Sequence, residues 1–148
     1  MKNTLFLLIA MLTAGTVIAQ ENLHKVKSHK SVAATVASLK QVLQEKNMTI
    51  FATIDHRQGA LKAGMELRPT TLVIFGNPKV GTKLMQCDQR MGLALPLKML
   101  IWQDAEGVTW VGYWAPEVFK NNYHLQDCQE TLVKIKNALD AFARAAAN

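Results

Sequence analysis

The chain has few residues of the kinds that carry most site chemistry. It holds two cysteines, Cys87 and Cys128, and three serines, Ser28, Ser31 and Ser38, in 148 residues. Thiols 41 residues apart form neither a zinc ribbon nor a CxxC redox pair. No serine lies in a GxSxG turn, which excludes that hydrolase elbow. His24, His29, His56 and His124 show no HxH or HxxxH spacing, so no metal is expected. No GxxxxGK[ST] phosphate loop occurs, and no cofactor is expected. The 17 basic residues exceed the 11 acidic ones, for a net charge of +6, yet form no basic run and no ladder with aromatics. A solvated basic surface, rather than a nucleic-acid partner, is the reading that follows. Repeats, low-complexity tracts and linkers rich in Pro, Gly or Ser are absent, so the chain reads as one domain.

A long apolar run is missing too. The longest, Leu5 to Ala19, falls short of the roughly 20 residues that a membrane span needs. It has the three parts of a secretory leader: a basic start at Met1-Lys2-Asn3, an apolar stretch from Leu5 to Ala14, and Val17-Ile18-Ala19 before Gln20. Residues 1–19 are therefore expected to be a cleavable signal peptide, and 20–148 a single periplasmic or secreted domain. No cysteine follows the run to take a lipid, and cleavage removes Lys2 from the basic excess. Export makes a disulfide chemically available. Three outcomes stay open for Cys87 and Cys128: an intramolecular bridge, two buried thiols, or a link between chains, in that order.

Periodicity supplies the elements. His24 to Ser28 alternates weakly around Val26, as a strand does. Ser31 suits an N-cap, Val32, Val36, Leu39 and Leu43 share one helical face, and Asn47 suits a left-handed stop. Met48 to Asp55 reads as a strand with Ile50, Ala52 and Ile54 on one side, followed by a short helical or irregular piece from His56 to Gly64. Thr71 to Phe75 is apolar without alternation, as in a strand covered on both faces. Asn77 and Pro78 suit a cap and first helical position, with Leu84, Cys87 and Met91 on one face and Gly92 closing the helix. Leu97–Trp102 and Val108–Tyr113 flank a polar turn, Gln103 to Gly107, as a hairpin. Cys128, Leu132, Ile135, Leu139 and Phe142 make a long amphipathic C-terminal helix packing on the sheet. The order β-α-β-(α)-β-α-β-β-α predicts an α+β fold, a mostly antiparallel sheet with helices on one face.

Four motifs in order resemble the domain of unknown function 302 (DUF302) family: Phe51-Ala52-Thr53-Ile54-Asp55-His56; Glu66-Leu67-Arg68-Pro69-Thr70; Phe75-Gly76-Asn77-Pro78-Lys79-Val80-Gly81-Thr82-Lys83-Leu84-Met85; and Leu95-Pro96-Leu97-Lys98. The likeness runs over about residues 30–115. It implies a compact domain related in shape to the TATA-box-binding-protein-like α+β folds, and brings no activity, because the family has none assigned. Two stretches depart from the family pattern: Ala94 stands where an acid is usual, and Tyr113-Trp114-Ala115-Pro116 replaces Tyr-Asn-Asp-Pro.

Candidate site residues follow. Asp55 and His56 close a strand, where a carboxylate and an imidazole can move protons, although strand neighbours point to opposite faces. The bland alternative makes Asp55 a cap and His56 a surface residue. Asn77, Gly81, Thr82 and Met85 lie on a strand-to-helix turn able to meet a polar ligand edge, or simply to be well capped. Cys87 sits on an apolar stripe, which favours a packed sulfur over a nucleophile. Trp102, Trp110, Tyr113 and Trp114 crowd the hairpin, with Trp110 and Trp114 on one face and Tyr113 on the other, so an exposed aromatic patch is expected. The favoured reading is a non-catalytic binding module holding a small ligand or partner chain between the hairpin and the Asn77 loop. An enzyme using Asp55 and His56 is the alternative, and a homodimer through the open sheet face or edge is compatible with either.

Overall fold

A computed structural model describes residues 22–148; the expected leader, residues 1–19, lies outside them. Five strands form one sheet in the order β1-β5-β4-β3-β2: β1 (Leu23–Ser28), β2 (Thr49–Asp55), β3 (Thr70–Gly76), β4 (Leu97–Gln103) and β5 (Thr109–Trp114). Every pairing is antiparallel. The helices are α1 (Val32–Glu45), α2 (His56–Lys62), α3 (Pro78–Cys87) and α4 (Gln129–Ala147), with 3-10 turns at Gln89–Leu93, Pro116–Asn121 and Gln126–Cys128.

Local chemistry places most of these boundaries. Ser31 accepts from the Ala34 N–H and starts α1, and Asn47, at φ 53°, turns the chain out of it. Asp104 organises the β4–β5 turn: its Oδ1 accepts from the Glu106 and Val108 amides, and its Oδ2 from the Trp110 indole at 2.7 Å. That indole bond, chiefly, holds the Asp104 carboxyl below its ordinary value.

Helices α1 and α4 cover one face of the sheet. Val73, Phe75, Met99, Ile101, Val111 and Tyr113 point into the layer between them, against Leu39, Leu43, Leu139 and Phe142. Phe75 meets Phe142 edge to face, with ring centroids 6.1 Å apart. Each such fully buried aliphatic or aromatic side chain contributes about 1.5–3 kcal/mol relative to exposure. Polar links tie the layers: Ser28 Oγ and Thr35 Oγ1 lie 2.8 Å apart, and Ser28 also donates to the Ala147 carbonyl. The Tyr113 hydroxyl donates to Asp140, whose other oxygen accepts from Lys136 at 2.8 Å. Burial first, and then the Asp140 carboxylate, push the Tyr113 hydroxyl well above its ordinary value.

The structure corrects three expectations. Strand β3 alternates, with Thr71, Val73 and Phe75 buried and Leu72 and Ile74 half-buried, so it is covered on one face only. A bulge at Phe51 changes the phase of β2. Ile50 pairs with Phe75 on the helix side, whereas Ala52 and Ile54 pair with Ile74 and Leu72 on the open side. Helix α3 stops at Cys87 rather than Gly92, because Asp88 is extended there and caps the following 3-10 turn through the Arg90 N–H.

The corner after α3 is bound to the start of α4. Cys87 and Cys128 form a disulfide, with Cα atoms 6.4 Å apart. Beside it, the buried Asp88 carboxylate takes Arg90 Nε at 3.0 Å, Arg90 Nη2 at 2.7 Å and the His124 N–H at 3.0 Å. The Arg90 bonds, foremost, and the His124 amide hold this carboxyl far below the usual range.

Candidate functional site

A cleft of about 420 Å³ lies between α3 and α4, open on one side. One wall is the start of α3: Asn77, Pro78, Val80, Gly81, Thr82 and Met85. The other is α4, which contributes Lys134, Ile135, Ala138, Leu139 and Phe142. Met48, Phe51 and Gly76 close the sheet end, and Leu95-Pro96-Leu97, with a cis bond before Pro96, close the remaining side. The lining is almost wholly apolar; Asn77, Thr82 and Lys134 supply its polar side chains. A cavity of this size and character takes a small organic ligand by apolar burial, with few polar groups to orient it.

The helix N-terminus in the wall is already satisfied. Asn77 Oδ1 accepts from the Lys79 and Val80 amides, the Asn77 carbonyl accepts from Val80 and Gly81, and Pro78 has no N–H. The turn is thus a capped turn, and the cleft's character comes from its side chains. A Cβ on Gly81 would meet Leu95 Cδ1 at 3.6 Å, an ordinary contact, so glycine here keeps the wall low rather than relieving a clash.

A second, smaller groove of about 200 Å³ adjoins the cleft, and Leu97 and Leu139 line both. Ala94, Lys98, Trp114, Val118 and Phe119 complete it. Trp114 is 62% exposed at its rim. Lys98 Nζ donates to the carbonyls of Ala94 at 3.0 Å and Pro96 at 2.8 Å.

Of the residues singled out from the sequence, Asn77, Gly81, Thr82 and Met85 line the cleft together. Trp114 belongs to the adjoining groove. Tyr113 is buried on the helix side and lines neither cavity; it is bonded to Asp140 and stacked on His24 at 5.5 Å. Asp55 and His56 sit at the opposite end of β2 from Gly76 and its partner Thr49. Both are exposed, and Asp55 Oδ1 accepts from the Gln58 N–H as the cap of α2. Cys87 and Cys128 are joined, so neither is a free thiol. Among the described residues no group of three or more His, Cys, Asp or Glu gathers as a metal site would require. Sequence reasoning missed Phe51, Leu95, Ala138 and Phe142 as cleft walls. The one available signal was the width of the α4 stripe, where Ala138 lies beside Leu139 on the helix.

On the open face, Trp102 and Trp110 pair across β4 and β5, and Lys25 Nζ lies 5.1 Å from the Trp110 ring. The Trp102 ring lies over Gly112, where a Cβ would come within 2.7 Å of it. Any larger residue at this position would have to displace that ring.

An all-antiparallel five-stranded sheet with two helices on one face and an apolar cleft at one end defines an α+β domain. The profile of the family described as domain of unknown function DUF302 matches residues 24–142. The chain belongs to that family. Its fold is also that of the uncharacterized conserved DUF302 protein from Bacillus stearothermophilus, whose crystal structure aligns with a TM-score of 0.76 at 17% identity, over 85% of this chain and 98% of that one. Two bacterial relatives are longer proteins. Fluoride-specific ion channel FluC 1 of Brucella suis is 42% identical over 94 residues, 64% of this chain and 37% of that protein. Fluoride-specific ion channel FluC 2 of Brucella melitensis is likewise 42% identical over 94 residues, covering 35% of its length. This chain therefore spans little more than a third of the length of the curated relatives it matches. No helix among its described residues is long and apolar enough to cross a membrane.

Proposed function

We propose that this is an exported, non-catalytic binding module that takes a small, mainly apolar ligand in the cleft between α3 and α4. The observation that carries this reading is the cleft's size combined with its lining: about 420 Å³ of nearly uninterrupted apolar surface. Phe51 remains 53% exposed beside it, an apolar cost that a bound ligand would remove. Export rests on the leader pattern of residues 1–19. Channel conduction is not carried over from the Brucella proteins, since the matched part is a minor share of each.

The enzyme alternative has less behind it. Asp55 is engaged as a helix cap, and both Asp55 and His56 stand in solvent, away from the cleft. General acid–base catalysis needs such groups within hydrogen-bond reach of a bound substrate.

The test is binding of the neutral fluorophore N-phenylnaphthylamine, followed by its emission. Wild-type protein should bind it at micromolar concentration. Ala138→Phe, which places a ring in the cleft, should weaken binding at least about tenfold, the equivalent of 1.4 kcal/mol. His56→Ala should leave it unchanged. Equal binding by wild type and Ala138→Phe would remove the cleft as the site.

A further inference from the structure

Two features of the cavities have no role in a purely apolar site. The first is that the cleft and the smaller groove are neighbours that share two wall residues, Leu97 and Leu139. The second is the cation in the lining of that groove, Lys98. An ammonium carries three donors. Lys98 spends two on the carbonyls of Ala94 and Pro96, which fix its position, and has no carboxylate partner among the described residues. Lys134, the cation of the main cleft, is by contrast already paired with Glu130 at 2.8 Å. A third donor on a positioned, unneutralised ammonium suits an anionic oxygen, and the exposed Trp114 ring beside it suits the apolar atoms next to that oxygen.

Resting on the cleft reading above, we infer that the ligand is a single-chain aliphatic anion: its carboxylate meets Lys98 in the small groove, and its chain passes over the shared Leu97 and Leu139 walls into the main cleft. An unbranched chain lying over the shared Leu97 and Leu139 walls would occupy both cavities at once. Lys98 and Trp114 then set the head-group preference, while the cleft supplies most of the affinity by burial. A charge-assisted bond at a partly exposed site corresponds to about tenfold or more in affinity.

The experiment displaces bound N-phenylnaphthylamine with decanoate and, separately, with decanol, at neutral pH and low salt. Decanoate should displace the fluorophore about tenfold more tightly than decanol. Lys98→Met should bring the two within about twofold, with an unchanged circular dichroism melt showing that the fold is intact. Lys27→Met, on the far end of the open sheet face, should keep the full preference and so exclude a general charge effect. If the fluorophore binds but decanoate and decanol compete equally, or if Lys98→Met keeps the preference, the inference is wrong while the cleft reading stands. If wild-type protein does not bind the fluorophore at all, the cleft reading itself fails and takes this inference with it.

Discussion

Reducing the bond between Cys87 and Cys128 should lower stability by an amount that can be worked out from its place in the chain. The bond closes a segment with a sequence separation of 41. Cross-linking a loop of that length removes unfolded-state entropy worth about 4 kcal/mol at room temperature. For a domain of this size, about 4 °C of melting temperature accompanies each kcal/mol, so the expected fall is about 15 °C. The bond also joins the end of α3 to the turn that starts α4, the two helices whose side chains wall the cleft. Loss of the link should therefore weaken fluorophore binding even below the melting temperature, by a factor of several. Circular dichroism melts with and without a phosphine reductant measure the first effect. Cys87→Ala/Cys128→Ala measures it without reagent, with an added packing cost for the missing sulfurs. A fall of less than about 4 °C in both would refute the loop-entropy reasoning and mean that the Asp88–Arg90–His124 corner holds the two segments together unaided.

Acid should destabilise the domain through its lowered carboxyls, Asp88, Asp104, Glu130 and Asp140. Asp88 and Asp104 are both more acidic folded than the unfolded value of 3.8. Below that value the unfolded chain takes up protons that the folded one does not, so stability is full above it and falls as pH drops through the folded values. Melts from neutral pH down to about pH 2 should show this slope, and Asp88→Asn should flatten it; an unchanged slope contradicts the assignment. Gly112→Val sets two effects against each other. Valine favours a strand over glycine by up to about 1 kcal/mol, while collision with the Trp102 ring costs about 1–3 kcal/mol. The variant should lose stability in the wild type but become neutral or stabilising when combined with Trp102→Ala. Loss of the same size in both backgrounds would show that the ring is not the obstacle.

Much of this architecture was legible because its signals are local. Ser31, Asn47, Asn77-Pro78 and the Gln103–Gly107 turn act on neighbouring amides, and the α4 stripe repeats at helical spacing from Cys128 to Phe142. What stayed hidden depends on contacts between segments. The phase of β2 is reset by one extra residue at Phe51, visible only in the pairing with β3. The end of α3 was misplaced because Met91 keeps an i+4 spacing from Cys87 across a 3-10 turn, while the actual stop is the Asp88 cap. Residues Pro116 to Cys128 carry no sustained period, so their two 3-10 turns left no mark in the sequence. The candidate site shows the same division. The α3 wall was found from its turn chemistry, whereas the α4 wall and the Leu95–Leu97 side belong to the cleft only after folding brings them there.

The proposed cleft site is tested most directly by amide chemical shifts in a proton–nitrogen correlation spectrum, recorded as fluorophore or decanoate is titrated into the intact, oxidised domain. The cleft account predicts that the shifts concentrate at residues 76–85, 95–98 and 134–142, with little movement at Asp55, His56 or Trp110. Shifts centred on Trp102 and Trp110 would place binding on the open sheet face instead, and shifts centred on Asp55 and His56 would return the site to the far end of β2; either would contradict the account.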